Sequence, residues 1–223
     1  MPTSDKHLAP AGISDSKASG LVDRLLALGI DGKGRFESAS AVLAKAQAVH
    51  SDPEAVVKAI VRQHLKLAVA SGFVTSIGGF LVMPVALPAN IAGFYLLATR
   101  MVAAIAGARG YDIEEPHVRS AVLLTLVGSE AEDVLASAGL MKPTGKITSM
   151  AVSQLPGPAL MVVNKAIGFR LLASTGKSVL TRFGRAIPLV GGAVGAGLDG
   201  WILNRIADQA RRDFVRQAPA IER

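Results

Sequence analysis

Apolar side chains recur at helical spacing along most of this chain. Leu21, Val22, Leu25 and Leu26 repeat in this way, which predicts a short amphipathic helix that ends at Gly29. Similar patterns predict helices over 37–50, 88–108, 134–139, 159–174 and 199–217. No segment alternates apolar and polar residues for long enough to predict a strand, so the sequence predicts an all-α protein.

Two further helix starts are marked by their capping residues. The sequence Ser51-Asp52-Pro53-Glu54 combines a capping side chain, a proline suited to the first helical position and an acid in the first turn. A third helix should therefore begin here and continue into the apolar segment that follows. Glu114-Glu115-Pro116 predicts another helix, which should end at Gly128.

The longest uncharged segment runs from Leu67 to Thr99 and is interrupted by Gly78-Gly79, Pro84 and Pro88. A membrane span needs about 20 uninterrupted apolar residues, and proline disrupts the interior of a helix. The segment therefore predicts two helices joined by a bend. Because Lys66 and Arg100 lie at its two ends, it is typical of a re-entrant apolar hairpin that enters and leaves on one side.

A second uncharged segment, Ala186 to Leu198, contains Pro188 and four glycines and follows Lys177, Arg182 and Arg185. It resembles the first hairpin in miniature. The segment 1–16 mixes proline, serine, glycine and charges without a period, so we expect a disordered tail. A single helical domain with two Gly/Pro-broken apolar hairpins should occupy 17–217.

The charge balance favours an anionic partner. Lysine and arginine number 24 against 17 acids, a formal net charge of +7, which suits a phospholipid surface or a nucleic acid. Aromatic residues make up 4% of the chain, too few to stack many bases, so we expect no nucleic acid partner. The chain has no cysteine, and its N-terminus lacks the apolar core of a signal peptide, so we expect a cytoplasmic protein.

The sequence offers no pattern that predicts a cofactor, a metal or a catalytic residue. Gly195 to Gly200 fits a dinucleotide-binding expression, but no strand precedes it, so close helix packing is the better interpretation. The four histidines lack metal-ligand spacing and are expected to be ordinary surface or interfacial residues. No serine lies in a nucleophile elbow. We therefore expect a protein that is not an enzyme.

Asp199 lies between a glycine-rich apolar segment and Trp201-Ile202-Leu203, where an unpaired charge would be costly. A buried ion pair with the distant Arg119 is the preferred interpretation, with helix capping by Asp199 or catalysis as alternatives. Asp112 completes the set of predicted buried polar residues.

An ordered set of motifs spans roughly Val56 to Phe214. The motifs are Gly72 to Phe80, Pro84, Leu87-Pro88-Ala89-Asn90, Arg100, Gly110-Tyr111-Asp112, Arg119, Gly168-Phe169-Arg170, Ile187 to Gly192 and Asp199. In this order they resemble the EcsC protein family. The resemblance implies a helical, membrane-associated protein and carries over no catalytic residue.

These observations lead to one main hypothesis and two alternatives. The main hypothesis is a membrane-associated protein at the inner face of the cell membrane, whose partner is an anionic phospholipid surface or a membrane protein. The predicted membrane contacts are Phe73, Phe80, Leu81, Val82, Met83, Val85 and Leu87, and the predicted headgroup contacts are Lys66, Arg100, Arg182 and Arg185. One alternative is an enzyme whose cleft lies between the two Gly-rich halves and uses some of Asp112, Arg119 and Asp199. The other is a soluble adaptor that binds another helical protein. The apolar hairpin can also be interpreted as the core of a soluble bundle.

Overall fold

The protein is built from helices, which confirms the predicted all-α class. The computed structural model describes residues 14–34, 36–77, 83–128, 131, 134–135, 155–183 and 191–217, with side chains throughout except at 71–91, 174–196 and 198. The helical elements are α1 (Asp15–Arg24), a π-helical segment (Leu25–Ile30), α2 (Ala39–Val49), α3 (Pro53–Ile77), α4 (Met83–Ala108), α5 (Pro116–Val127), α6 (Gly157–Phe183) and α7 (Gly191–Asp213). Most of the predicted helix over 134–139 lies outside the described residues.

The first helix is longer than predicted at both ends. α1 begins at Asp15, inside the segment predicted to be a tail, and the π-helical segment extends it to Ile30; residues 1–13 lie outside the described part. Gly29 lies within this extension and against α4, where a methyl group on it would come within 2.9 Å of Thr99 Cβ. The glycine therefore permits a close helix contact instead of ending the helix.

The start of α3 confirms the predicted cap. Asp52 Oδ2 accepts a hydrogen bond from the N–H of Ala55 at 2.8 Å, and Pro53 is the first helical residue. α2 begins in a similar way, because the side chain of Ser38 accepts a hydrogen bond from the N–H of Ala41. From its cap, α3 continues for 25 residues into the apolar segment, as predicted.

Two further helices begin at least five residues before their predicted first residues. α4 begins at Met83 instead of Pro88, and α7 begins at Gly191 instead of Asp199. Pro84 falls in the first turn of α4, where its missing N–H would be unpaired in any helix. Each interior glycine of α7 costs about 1 kcal/mol relative to alanine, and the extensive packing of α7 along α3 offsets this cost.

α3, α4 and α7 form the centre of the bundle, with α3 antiparallel to the other two. The ion pair between Arg109 and Glu54, at 2.6 Å, joins the end of α4 to the start of α3. Phe214, directly after α7, packs edge-on against Tyr111, directly after α4. We call this the closed end. The antiparallel pairing of α3 and α4 confirms the first predicted hairpin.

The opposite end of these three helices lacks charged residues. We call it the apolar end and define it as residues 67–77 of α3, 83–99 of α4 and 191–198 of α7. The antiparallel register brings these stretches together, since a methyl group on Gly200 of α7 would lie 3.4 Å from Val69 Cγ2 of α3. Across the described helices, none combines the length and hydropathy needed to cross a membrane.

Candidate functional site

The large apolar side chains of α3 are buried or half-buried before Lys66 and exposed after it, whereas the small Ala68 stays buried. On the side of the closed end, Ile60 and Val61 are buried in the core. Beyond Lys66, Leu67 is 42% exposed and Val69 is 46% exposed. Two large apolar side chains are therefore in contact with solvent where the apolar end begins.

α4 and α7 also carry exposed or half-buried apolar residues at this level of the bundle. Residues 101–106 of α4 are fully buried, whereas 94–97 are half-buried and 92–93 are exposed. On α7, Leu203 is buried but Trp201 is 55% exposed. All three helices thus present apolar surface to solvent at this end, which is the pattern of a contact surface.

Basic side chains lie on the border between this surface and the core. Arg62, Lys66 and Arg205 are exposed, and no acidic residue in the described part of the chain pairs with any of them. The guanidinium carbon of Arg205 lies 5.0 Å from the ring centroid of Trp201, in the geometry of a cation–π contact. The border therefore carries three exposed cations that no acid in the described part of the chain pairs with.

A buried histidine and an arginine link α3 to α4 at this border. The N–H at Nδ1 of His64 donates to the carbonyl of Ile60 at 2.8 Å, and its Nε2 accepts from Arg100 Nε at 3.2 Å. Since the arginine nitrogen can only donate, this arrangement fixes the neutral tautomer of His64. Burial of the ring and the charge of Arg100 lower the pKa of His64 to about 4, although the bond to Ile60 acts in the opposite direction.

Arg100 is half-buried, and its surroundings differ from those of the exposed cations. Burial lowers the pKa of its guanidinium, while the negative charge of Glu37 raises it. Glu37 itself forms an ion pair with Lys45 at 2.6 Å. Arg100 is thus held at the border by His64 on the next helix.

The predicted contact residues are distributed as follows. Lys66 and Arg100 lie at the border, where the hairpin prediction placed them. The side chains of the other predicted contacts lie outside the described residues; they are Phe73, Phe80, Leu81, Val82, Met83, Val85, Leu87, Arg182 and Arg185.

The structure does not pair Arg119 with Asp199, so this predicted ion pair is wrong. Instead, one terminal nitrogen of Arg119 donates to both carboxylate oxygens of Asp31 at 2.7 Å, and the other donates to Glu114 at 3.2 Å. Asp31 directly follows the π-helical segment. It contacts Arg119 although the two residues are 88 positions apart in the sequence, and no sequence pattern predicts this pairing.

Asp112 and Asp199 were predicted as buried polar residues, and the structure buries only Asp199, in part. Asp112 is exposed, and its Oδ1 accepts the N–H of Glu114 at 2.9 Å in a local turn. Asp199 is half-buried without an ion pair to any described residue, and burial raises the pKa of its carboxyl. Asp112 follows Tyr111 at the closed end, whereas Asp199 lies 15 residues before Phe214 along α7, about 22 Å away. The two acids belong to opposite parts of the molecule.

Three residues at the border were missed by sequence reasoning. His64 was expected at the surface or an interface, yet it is fully buried on the α3 face that carries Ile60. Trp201 and Arg205 were not predicted as contacts. Their spacing of four residues on a helix is a usable signal, because it places the two side chains on one face.

A cavity at the closed end offers less chemistry than this border. Its volume is about 250 Å³, and its lining residues are Gln47, His50, Ser51, Pro53, Val56 and Ala108. It contains one titratable side chain and no carboxylate. Within the described residues, no group of three acidic or histidine side chains is arranged to hold a metal ion.

Comparison with protein families identifies a match over most of the chain. The model of the EcsC protein family matches residues 46–216, which include α3, α4, α5, α6 and α7. No curated protein and no solved structure matched the chain. The matched segment covers most of the chain and contains the entire border region.

Proposed function

This chain belongs to the EcsC protein family, and we propose that it is a binding protein that docks on an anionic phospholipid membrane through the apolar end of its bundle. The partner is the inner, cytoplasmic face of the cell membrane, which carries the anionic lipids. The observation that carries the proposal is the coincidence of two changes at one level. At the border, large apolar side chains of α3 and α7 and part of α4 become exposed or half-buried, and the charged residues end, at Lys66 on α3, Arg100 on α4 and Asp199 on α7.

The dimensions of the apolar end suit entry into one leaflet. From Leu67 to Ile77, α3 rises by about 15 Å, which is half of a hydrocarbon core of about 30 Å. An end of this length can bury its apolar surface without crossing the bilayer. The transfer of exposed apolar side chains from water to hydrocarbon supplies the attraction, at about 1.5–3 kcal/mol for each large side chain that is fully buried.

The cations at the border supply the preference for anionic lipids. Each Lys or Arg near such a surface contributes about 1 kcal/mol, and salt screens this term. Arg62, Lys66 and Arg205 are available for this role, because none has an acidic partner in the described structure. Binding should therefore be stronger with anionic vesicles and weaker at high salt.

Vesicle co-sedimentation tests the proposal. The full chain should pellet with vesicles that contain phosphatidylserine and less with pure phosphatidylcholine, and high salt should weaken pelleting with the phosphatidylserine vesicles. Lys66→Gln should weaken pelleting about fivefold, whereas Lys58→Gln should leave it nearly unchanged. Both lysines are exposed on α3, but only Lys66 lies at the border.

Three outcomes would contradict the proposal. One is full recovery of the protein in the supernatant with every vesicle composition. Another is binding to native membranes but to no protein-free vesicle, which would make a membrane protein the partner. Equal losses for Lys66→Gln and Lys58→Gln would also contradict docking through the apolar end.

A further inference from the structure

We infer that Trp201 and Arg205 of α7 form an interfacial anchor that sets the depth of docking on the anionic phospholipid surface. The indole lies at the boundary between headgroups and acyl chains, and the guanidinium binds lipid phosphates. This inference rests on the proposed function and adds α7 to the predicted hairpin as a second docking element.

The exposure of Trp201 is the first observation. Trp201 is the single tryptophan of the chain, and it is 55% exposed although Leu203, two residues further along α7, is fully buried. Its neighbour Gly200 faces α3, so the indole projects from the edge of the α3–α7 contact. An indole combines a large apolar surface with one N–H donor, and this combination suits a membrane interface.

The level of Trp201 in the bundle is the second observation. Because Gly200 lies against Val69, Trp201 is level with the exposed Leu67 and Val69 of α3. Lys66 and Arg205 lie on the side of the closed end from these three apolar side chains. The order of apolar end, aromatic ring and cation along the bundle reproduces the order of acyl chains, interface and phosphates across a leaflet.

The contact between Arg205 and Trp201 is the third observation. At 5.0 Å from the ring centroid, the guanidinium stacks on the indole, and no described acid neutralises it. Stacking on an aromatic face leaves the N–H groups at the guanidinium edge available, so the same cation can donate to a phosphate oxygen. Charge complementarity therefore selects a phosphate-bearing surface as the partner.

Tryptophan emission provides a direct test, since the single indole reports on its own environment. With vesicles that contain phosphatidylserine, emission of the full chain should shift to the blue. Lipids brominated near the headgroup end of their acyl chains should quench it more than lipids brominated near the methyl end. Arg205→Gln should weaken binding to anionic vesicles about fivefold, and Arg212→Gln, an exposed arginine of α7 towards the closed end, should have little effect.

The outcomes separate the anchor from docking itself. If the protein sediments with vesicles but its emission is neither shifted nor quenched, the anchor is wrong and docking stands. Stronger quenching by the deeper bromines would overturn the depth assigned to Trp201. Equal effects of Arg205→Gln and Arg212→Gln would overturn the role of the stacked guanidinium, and absence of sedimentation would remove docking and the anchor together.

Discussion

Acidification from pH 7.5 to pH 5 should destabilise the folded protein through His64. The ring is fully buried and neutral, with its Nδ1 N–H donated to Ile60 and its Nε2 accepting from Arg100. A proton on Nε2 would remove the acceptor and place a second positive charge beside the guanidinium. The stability associated with neutral His64 is complete above pH 6.5 and is lost as the pH falls through its folded pKa of about 4.

The magnitude follows from the two pKa values of His64, 6.5 in the unfolded chain and about 4 in the folded protein. At pH 5 most unfolded chains carry the additional proton and few folded ones do. The free energy of unfolding should therefore be about 2 kcal/mol lower at pH 5 than at pH 7.5. Below pH 4 the loss should approach about 3 kcal/mol.

Urea unfolding at a series of pH values, followed by circular dichroism, measures this loss. Burial raises the pKa of Asp199 and of Asp213, and these carboxyls act in the opposite sense because the folded state takes up their protons first. The wild-type curve is therefore compared with that of His64→Leu, which should lose the His64 contribution. Ile60→Val, a core substitution on the same face, should lower stability at every pH but keep the wild-type slope.

Identical pH dependence in wild type and His64→Leu would refute this reasoning. So would an NMR titration in which the His64 ring gains its proton near its ordinary pKa of 6.5. Either result would mean that the ring is not held as the neutral acceptor of Arg100.

Three further predictions concern packing and charge. Replacement of Arg119 by Met should lower the free energy of unfolding by about 0.5–1 kcal/mol in urea titrations, because its pair with Asp31 is partly exposed; unchanged stability would mean that the pair contributes nothing. Gly168→Ala should cost about 1–3 kcal/mol, since the new methyl would lie within 2.4 Å of a backbone carbonyl of α1. Gly20→Ala, with open space around it, serves as the control, and equal stability of the two variants would contradict the packing. Asp199→Asn should strengthen vesicle binding at pH 7.5 by removing an unpaired negative charge next to the apolar end, and weaker binding would count against this placement.

Local signals predicted the elements that depend on neighbouring residues. The cap at Asp52 and Pro53 was recognisable because its parts lie within four residues of sequence. The early starts of α4 and α7 could not be recognised in the sequence. The effect of a proline or glycine on a helix depends on its position within the helix and on the helices that pack against it. Pro84 in a first turn and Gly191 at a helix start are both tolerated.

Parts of the site that depend on contacts between residues far apart in the sequence could not be predicted. Uncharged segments flanked by cations predicted the hairpin and the positions of Lys66 and Arg100, since a charge-free segment is visible in sequence alone. The partner of Arg119 could not be found in this way, because Asp31 lies 88 residues away and no periodicity relates the two. The exposure of Trp201 depends on the register between α3 and α7, which the sequence does not encode locally.

Hydrogen bonds hold residues 214–217 at the closed end, so this segment identifies one end of the bundle. The N–H of Gln217 donates to the carbonyl of Arg109, and the hydroxyl of Tyr111 donates to the carbonyl of Val215. α7 is 23 residues long, or about 35 Å, so a dye or fusion protein joined after Gln217 would start at the closed end, which the proposed docking turns away from the bilayer. Energy transfer from such a label to fluorescent lipids would report whether the docked molecule stands upright or lies on its side.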